Sequence, residues 1–127
     1  MSKTHFKDGV IWEDEIGYAR AVKMGNIIEI SGTTATVNGN VVGENNVYEQ
    51  TKCIIEKAIK VLEHFNASVD DVIRTRIFCA DISQWQEIGK AHSLFFKDSK
   101  PATGMYQMAK LIDEKLLVEI EFTAIVE

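Results

Sequence analysis

Residues 117–126 alternate between two sets of side chains, and this pattern constrains the fold more than any other feature of the sequence. A period of two predicts a β-strand with one buried face. The face predicted to be buried carries Val118, Ile120, Phe122, Ala124 and Val126, and the other carries Glu119, Glu121, Thr123 and Ile125. Such a strand needs partner strands and a cover for its apolar face, which the rest of the chain must supply.

Further strands are predicted along the chain. Gly25-Asn26 and Asn38-Gly39 each separate two extended runs and indicate hairpins, because glycine accepts a positive φ at the turn. A strand over residues 72–80 is predicted to place Ile73, Thr75, Ile77 and Cys79 on one face, and Val72, Arg74, Arg76, Phe78 and Ala80 on the other. Pro101 favours an extended Lys100, and a strand follows through about residue 109.

Two amphipathic helices are predicted. The first spans residues 47–65, with Asn46 as its N-cap and a left-handed exit at Asn66. The second spans residues 84–97 and opens with a capping box of Ser83 and Gln86. Because the segments are short and alternate in type, we predict a single α+β domain over residues 1–127. Two helices cover only one face of such a sheet.

The face of the sheet left uncovered by the helices carries both charge signs. Its expected members are Arg74, Arg76, Phe78, Glu119 and Glu121, with Glu29 and Ser31 as neighbours. One interpretation is a solvated face, which is common in antiparallel sheets. The other is a subunit interface with a polar cleft, and the pattern alone leaves both open.

Composition excludes several classes of protein. The chain has 14 Lys and Arg against 19 Asp and Glu, a net charge of -5, which makes nucleic acid an unlikely partner. No apolar run approaches a membrane span and the N-terminus lacks the apolar core of a signal peptide, so a cytoplasmic location is predicted. Cys53 and Cys79 fit buried thiols rather than a disulfide framework or zinc site, and the three histidines show no metal-ligand spacing.

Several short motifs, taken in order, resemble the Rid (reactive intermediate deaminase, YjgF) family. They are Gly25-Asn26, Ser31-Gly32, Asp70-Asp71-Val72, Pro101-Ala102 and Val118-Glu119-Ile120-Glu121. The resemblance implies a chorismate-mutase-like fold, with a mixed sheet of about six strands and two helices on one face. It also implies a homotrimer with a small-molecule ligand or substrate in each intersubunit cleft, which favours the interface interpretation of the polar face.

The resemblance further implies hydrolysis of enamines or imines to a carbonyl compound and ammonia, without a cofactor or metal. This chain departs from the family at the site, and is therefore similar to a divergent subfamily. Thr103 stands where an arginine binds the substrate carboxylate, Met105 where a cysteine is common, and Gly89 where an asparagine is common. Tyr18 follows Gly17 without the usual intervening proline, so it matches only after a one-residue slip.

Two site positions match the family. Ser31 lies on the predicted cleft strand, and Glu119 corresponds to the carboxylate that orients the attacking water. The backbone around Gly104 is expected to line the cleft. A buried carboxylate is a suitable general base, because desolvation raises its pKa toward the working pH.

The remaining candidates are charged and aromatic side chains. Arg76 is the favoured substitute for the missing arginine, with Arg20 and Arg74 as further candidates; the alternative for Arg76 is an ion pair with Glu119 or Glu121 at the subunit interface. His92 is expected to be a hydrogen-bonded core or interface histidine. Trp12 and Trp85 are expected to be packing residues.

Two functions from different classes follow, and the sequence does not decide whether the chain is an enzyme. The first is an enamine or imine hydrolase in the intersubunit cleft. The second is a non-catalytic metabolite-binding or regulatory trimer. A third, an endoribonuclease or translation inhibitor, fits poorly with the net charge of -5.

Overall fold

The computed structural model describes residues 2–127, with eight strands and two α-helices in that range. The strands are β1 (Lys3–Phe6), β2 (Ala21–Met24), β3 (Ile27–Thr33), β4 (Thr36–Val37), β5 (Asn40–Val41), β6 (Val72–Cys79), β7 (Ala102–Gln107) and β8 (Val118–Ile125). The helices are α1 (Val47–His64) and α2 (Trp85–Phe96). Neither helix has the length and hydropathy that a membrane crossing requires.

Six strands form one mixed sheet in the order β1-β2-β3-β8-β6-β7, and β4 and β5 form a separate hairpin. All neighbours in the large sheet are antiparallel except β6 and β7, which α2 connects in parallel. The predicted α+β architecture is therefore confirmed. β1 and β7 are the edge strands, and β8 lies near the centre.

One face of the sheet packs against both helices, as predicted. Its buried side chains include Ile28 and Ile30 of β3, Ile77 and Cys79 of β6, and Val118, Ile120, Phe122 and Ala124 of β8. The helices contribute Ile54, Ile55, Ala58, Val61, Leu62, Ile88 and Phe96. We call this the helix side of the sheet, and the opposite face the open side.

The predicted start of α1 and both hairpins are confirmed. The Asn46 side chain accepts a hydrogen bond of 3.0 Å from Glu49 N–H, and Asn66 has φ +58°. Gly25 and Gly39 have positive φ at the turns of the β2–β3 and β4–β5 hairpins. A Gly-Asn or Asn-Gly pair in the sequence therefore predicts a turn that requires a positive φ.

The predicted capping box of Ser83 and Gln86 is wrong. The carboxylate of Asp81 instead accepts hydrogen bonds from Ser83 N–H at 3.0 Å and from the Ser83 hydroxyl at 2.7 Å, which starts a short 3₁₀ turn before α2. A capping box does form between Ser68 and Asp71, at the start of the 3₁₀ turn Val69–Asp71. An aspartate two residues before the serine competes for the same cap, and a carboxylate accepts more strongly than a hydroxyl.

Three local expectations for the strands are also corrected. A register shift between Val72 and Arg74 places Val72 in the core and leaves Ile73 48% exposed, which reverses their predicted faces. Lys100 has φ +49°, so it is left-handed rather than extended. Its N–H donates to Phe96 O at the end of α2, and this helix exit overrides the preference imposed by Pro101. The strand β7 ends at Gln107, before residue 109.

Gln50 of α1 fixes the chain just before β8. Its amide nitrogen donates to Gly43 O at 3.1 Å and to Lys115 O at 2.8 Å, and its amide oxygen accepts from Leu117 N–H at 2.8 Å. Gln50 is fully buried, so these bonds satisfy a group that would otherwise be costly to desolvate. The register of β8, and with it the position of Glu119, depends on this contact.

Candidate functional site

Glu119 of β8 lies on the open side, as the alternation of β8 predicts. It is half-buried, and its carboxylate lies directly over Gly32 of β3, where a β-carbon would overlap it. Burial raises the pKa of Glu119 and nearby Glu121 raises it further, while Arg20 lowers it; the net shift is upward. Glu119 is therefore a carboxylate with a raised proton affinity beside exposed backbone.

Arg20 makes several polar contacts within the protomer. Its guanidinium donates to Gly32 O at 2.9 Å and to Thr33 Oγ1 at 3.4 Å, and it forms an ion pair with Asp8 at 3.7 Å. Its Cζ lies 5.8 Å from the centre of the Tyr18 ring. Arg20 thus supports the backbone beneath Glu119 and places a positive charge near that carboxylate.

Glu13 organises the segment that precedes β2. Its side chain is 4% exposed and accepts hydrogen bonds from the N–H groups of Asp8, Gly9 and Arg20 at 3.0, 2.8 and 3.2 Å. Burial acts to raise the pKa of Glu13, but these three donors and the Arg20 charge hold it below its ordinary value. The loop that carries Tyr18 is therefore fastened at its start and its end by one carboxylate.

A groove of about 480 Å³ runs along the open side beside β1, β2 and β3. Its lining includes Ser31 and Tyr18, both predicted site residues, and the side chains of Lys3, His5 and Lys7. The Ser31 hydroxyl donates to Ala19 O at 2.7 Å, which leaves its oxygen lone pairs for a ligand. This groove is within the size range of small-molecule sites.

Thr103 of β7 occupies the helix side, where it joins a chain of hydrogen-bonding side chains. Its hydroxyl oxygen lies 2.8 Å from Thr75 Oγ1, and Thr75 Oγ1 lies 3.0 Å from His92 Nε2 of α2. Thr75 is fully buried, Thr103 is exposed and His92 is half-buried. The expectation that His92 is a hydrogen-bonded histidine is confirmed, and burial lowers its pKa.

The remaining predicted site residues near β7 are divided between the two sides. Met105 pairs with Ile77 and packs against the core on the helix side. Gly104 pairs with Arg76 on the open side, where the Tyr106 hydroxyl lies over it. Gly89 is one turn before His92 on α2, and a β-carbon there would meet no atom within 4 Å, so this helix leaves space beside the histidine.

The other polar and aromatic candidates lie away from both groups. Within residues 2–127 Arg76 makes no ion pair inside the protomer. It is half-buried and stands directly across from Glu121, and an ion pair with Glu119 or Glu121 across a subunit interface stays a prediction. The side chains of Trp12 and Trp85 are 57% and 55% exposed, and neither packs in the core. Cys79 is buried as predicted, whereas Cys53 is only partly buried.

The strand registers separate the site residues onto opposite faces of one sheet. Thr103 is beside Thr75, whose side chain points to α2, whereas Glu119 is beside Phe78, one residue out of phase with the core positions Val118 and Ile120. No side-chain rotation brings Glu119 and Thr103 together across a six-stranded sheet. A site that contains both of them must therefore use two copies of the chain.

Two contributors, Glu13 and Thr75, were not identified from the sequence. Thr75 could have been identified, because it is a polar side chain at an inward position between apolar neighbours and therefore needs a hydrogen-bonding partner. Glu13 lies in the acidic run Glu13-Asp14-Glu15, and only the folding of the loop distinguishes it from its neighbours. In the part of the chain that the structure describes, no group of three metal-ligating side chains comes together.

Comparisons with known proteins agree with this architecture. The sequence profile of the family described as Endoribonuclease L-PSP matches residues 13–126. An uncharacterized protein of Streptomyces coelicolor, SCO2049, is 34% identical over 118 residues, covering 93% of this chain and 88% of that protein. Reactive Intermediate Deaminase A of Arabidopsis thaliana is 27% identical over 105 residues, covering 80% of this chain and 56% of that protein.

A solved structure extends the match to three dimensions. The crystal structure of Rv2704 from Mycobacterium tuberculosis, described as a member of the YjgF/YER057c/UK114 family, superposes with a TM-score of 0.89 at 35% identity. It covers 98% of this chain and 100% of that chain. With the profile match over most of the sequence, this likeness shows that the chain belongs to the Rid family, also called the YjgF or endoribonuclease L-PSP family.

Proposed function

We propose that the chain forms a homotrimer whose intersubunit clefts bind a small imine or enamine and hydrolyse it to a carbonyl compound and ammonia. Glu119 from the open side of one protomer faces the helix side of its neighbour, where Thr103 lies. The placement of these two residues on opposite faces of the protomer supports a shared cleft. Exposed apolar side chains, including Ile11, Trp12 and Ile16, are consistent with burial in an assembly.

Glu119 is the observation that carries the catalytic proposal. Its carboxylate combines partial burial, a raised pKa and no ion-pair partner among the described residues. In the proposed reaction it removes a proton from water, and the resulting hydroxide forms a bond to the imine carbon. A general base of this kind accelerates such a step by about 10²- to 10⁴-fold.

The substrate is proposed to lack a carboxylate at the reacting end. Thr103, Met105 and Gly89 give the helix side no fixed positive charge, whereas an arginine at residue 103 would bind an anion through two parallel hydrogen bonds. Arg20 is already bound to backbone and to Asp8. Arg76 lies on the open side, directly across from Glu121, so neither arginine occupies the helix side beside Thr103. We therefore expect a neutral imine to be preferred over a 2-imino acid.

Turnover of two probe imines tests this function. An amine oxidase acting on benzylamine releases a neutral imine, and an amino-acid oxidase acting on alanine releases 2-iminopropionate. The protein should accelerate ammonia release from the neutral imine, and Glu119→Gln should lower that rate by about 10²-fold or more. Glu121→Gln, on the same side of the same strand, is the matched control and should retain turnover.

The assembly is tested separately by sedimentation. A trimer has a mass near three times 14.3 kDa, and Glu119→Gln should preserve it because the amide keeps the shape of the carboxylate. A stable monomer at micromolar concentration would contradict the shared cleft. Dissociation of the Glu119→Gln trimer would instead assign Glu119 a structural role.

A non-catalytic metabolite-binding trimer is the second candidate. The absence of a charged group at residues 89, 103 and 105 favours it, because the helix side then offers shape and hydroxyl groups without a charged anchor. An intact trimer that retains a co-purifying small molecule but accelerates neither probe imine would support this function. Salt-sensitive binding to RNA would instead point to the endoribonuclease activity in the name of the family.

A further inference from the structure

We propose that Thr103, Thr75 and His92 form a proton relay from the cleft to a half-buried histidine. Thr103 contacts the substrate, and Thr75 and His92 act through it. The proposal rests on the imine hydrolysis proposed above, and adds the group that accepts the second proton of that reaction. Glu119 removes the first proton from water on the opposite wall of the cleft.

The relay runs from an exposed hydroxyl through a fully buried one to a half-buried histidine. Thr103 is on the edge strand β7 and exposed to the cleft, whereas Thr75 is fully buried between β7 and α2. The oxygens of the two hydroxyls lie 2.8 Å apart, and Thr75 Oγ1 lies 3.0 Å from His92 Nε2. Both separations are ordinary hydrogen-bond lengths, so a proton can pass along the chain without a water molecule.

The hydrogen bonds of this chain can run in two directions. In the first, His92 Nε2–H donates to Thr75, Thr75 donates to Thr103, and Thr103 donates to Pro101 O at 3.1 Å. In the second, Thr103 donates to Thr75 and Thr75 donates to an unprotonated Nε2. The Pro101 carbonyl accepts the last hydrogen in the first direction, so each direction leaves the hydroxyl hydrogens satisfied.

The surroundings of His92 favour a neutral ring that can accept a proton. Burial lowers its pKa, and no charged side chain of α1, β6, β7 or β8 contributes to that shift. The ring packs against Phe96, with 4.6 Å between ring centres, and faces the hydroxyl of Thr75. The charged residues of α2 closest in sequence, Glu87 and Lys90, pair with each other at the surface.

The relay accepts the proton that is released when the tetrahedral intermediate loses ammonia, and every proton of the reaction is then accounted for. The neutral imine first takes a proton from solvent at its nitrogen. Water addition to this protonated imine then forms a C–O bond, moves the C=N electron pair to nitrogen and transfers a water proton to Glu119. Glu119 then protonates the amine. As the C–N bond breaks and ammonia leaves, the hydroxyl of the intermediate gives its proton to Thr103, Thr103 gives its own to Thr75, and Thr75 gives its own to His92 Nε2. The products are the carbonyl compound, ammonia and an imidazolium, which returns its proton to solvent.

Thr75→Val tests the relay because it keeps the shape of the side chain and removes the transferring hydroxyl. With the benzylamine-derived imine, we expect it to lower kcat by about 10²-fold and to remove the rise of kcat with pH that His92 deprotonation produces. Thr75→Ser should restore both. Thr51→Val is the matched control, since Thr51 is equally buried but its hydroxyl donates to Val47 O within α1. An unchanged pH profile in Thr75→Val would overturn the relay.

Nitrogen-15 NMR of the His92 ring separates failure of the relay from failure of the proposed activity. In the resting trimer above the pKa of His92, the relay requires Nε2 to be unprotonated and to accept from Thr75. Thr75→Val should then shift the Nε2 resonance, while Thr51→Val should not. If neither probe imine is hydrolysed but Nε2 accepts as expected, the activity is wrong and the hydrogen-bonded relay stands. A neutral ring protonated at Nε2 overturns the relay whatever the activity.

Discussion

The two sides of the sheet contribute opposite chemistry to the candidate site. The open side carries a carboxylate, Glu119, with Arg20 fixed beneath it and the groove beside Ser31. The helix side carries two hydroxyls and a histidine whose pKa is lowered, with no charged side chain among Thr103, Thr75 and His92. Charge is therefore confined to one half of the site and neutral hydrogen bonding to the other.

This division follows from the period of two in the strands. The charged residues of β8 lie on the face opposite its core residues. Thr75 lies on the same face as Ile77 and Cys79, so its buried hydroxyl needs a hydrogen-bonding partner inside the protein. A polar group on the helix side must be neutral and hydrogen-bonded because it is buried against the helices, whereas charged groups on the open side of the protomer keep contact with solvent. The same sheet thus presents a carboxylate on one face and the proposed proton relay on the other.

Mixing two inactive variants is the strongest test of this comparison. Glu119→Gln removes the open-side group and Thr103→Val removes the helix-side group, and each alone should lower turnover of a neutral imine by about 10²-fold. If one cleft uses both faces from different protomers, a mixed trimer regains clefts that contain both native residues. Co-refolding at equal amounts should restore about a quarter of the native rate, as expected for a heterologous interface.

The control for this experiment is each variant refolded with itself under the same conditions. Neither homogeneous sample should gain activity. Absence of recovery in mixed trimers that are shown by mass to contain both variants would contradict a cleft shared between the two faces.

Gly32→Ala should displace the Glu119 carboxylate without unfolding the chain. A methyl group at this position overlaps the Glu119 carboxylate, which is the flexible end of a side chain and can move aside. We expect turnover to fall by roughly tenfold or more, since misplacing a catalytic group reduces rate strongly, while the melting temperature changes little. Gly89→Ala is the control for adding a methyl group without a clash, because this methyl meets no atom within 4 Å. It should melt slightly above the native protein, since alanine is favoured over glycine inside a helix by about 0.5–1 kcal/mol. Full activity in Gly32→Ala would show that the observed position of Glu119 is not the working one.

Most of the fold could be predicted because its signals are local. The alternation of residues 117–126, the N-cap at Asn46 and the glycine turns each depend on a few neighbouring residues, and each is confirmed. The errors arose where two local signals compete. Asp81 displaced Ser83 as the cap, and the exit of α2 overrode the preference that Pro101 imposes on Lys100.

The site was less predictable because its geometry depends on which face each strand presents. From the sequence, Glu119 was predicted to lie on the open side. Thr103 was predicted to line the same cleft, but the side of the sheet on which it lies was not predicted. Only the register of β6 and β7 shows that Thr103 is beside Thr75 on the helix side. The bulge at Val72 and Ile73 shows how one extra residue reverses a face assignment that a strict period of two predicts.

Thr103→Arg should reverse the neutral character of the helix side. A charge-assisted contact with a carboxylate contributes roughly 1.5–3 kcal/mol, and each 1.4 kcal/mol is tenfold in affinity. We expect turnover of 2-iminopropionate to rise by about tenfold or more and that of the neutral imine to fall, because the relay loses its exposed hydroxyl. Thr103→Lys is the control for charge without bidentate geometry, and should give a smaller gain. Efficient turnover of 2-iminopropionate by the unmodified protein would show that the substrate carboxylate already has an anchor elsewhere.

The smallest expected effect is an opposite pH dependence of stability on the two sides. The pKa of Glu119 is raised above its ordinary value of 4.5, so its favourable contribution is complete below that pH and is lost as pH rises through the raised pKa. The pKa of His92 is lowered below 6.5, so its contribution is complete above that pH and is lost as pH falls through the lowered pKa. Glu119→Gln should therefore melt above the native protein at pH 7 and equally at pH 4, whereas the deficit of His92→Gln should shrink between pH 7 and pH 5. Thermal melts of the trimer across this range measure both slopes, and slopes of the same sign would contradict the assignment of charge to one side and neutrality to the other.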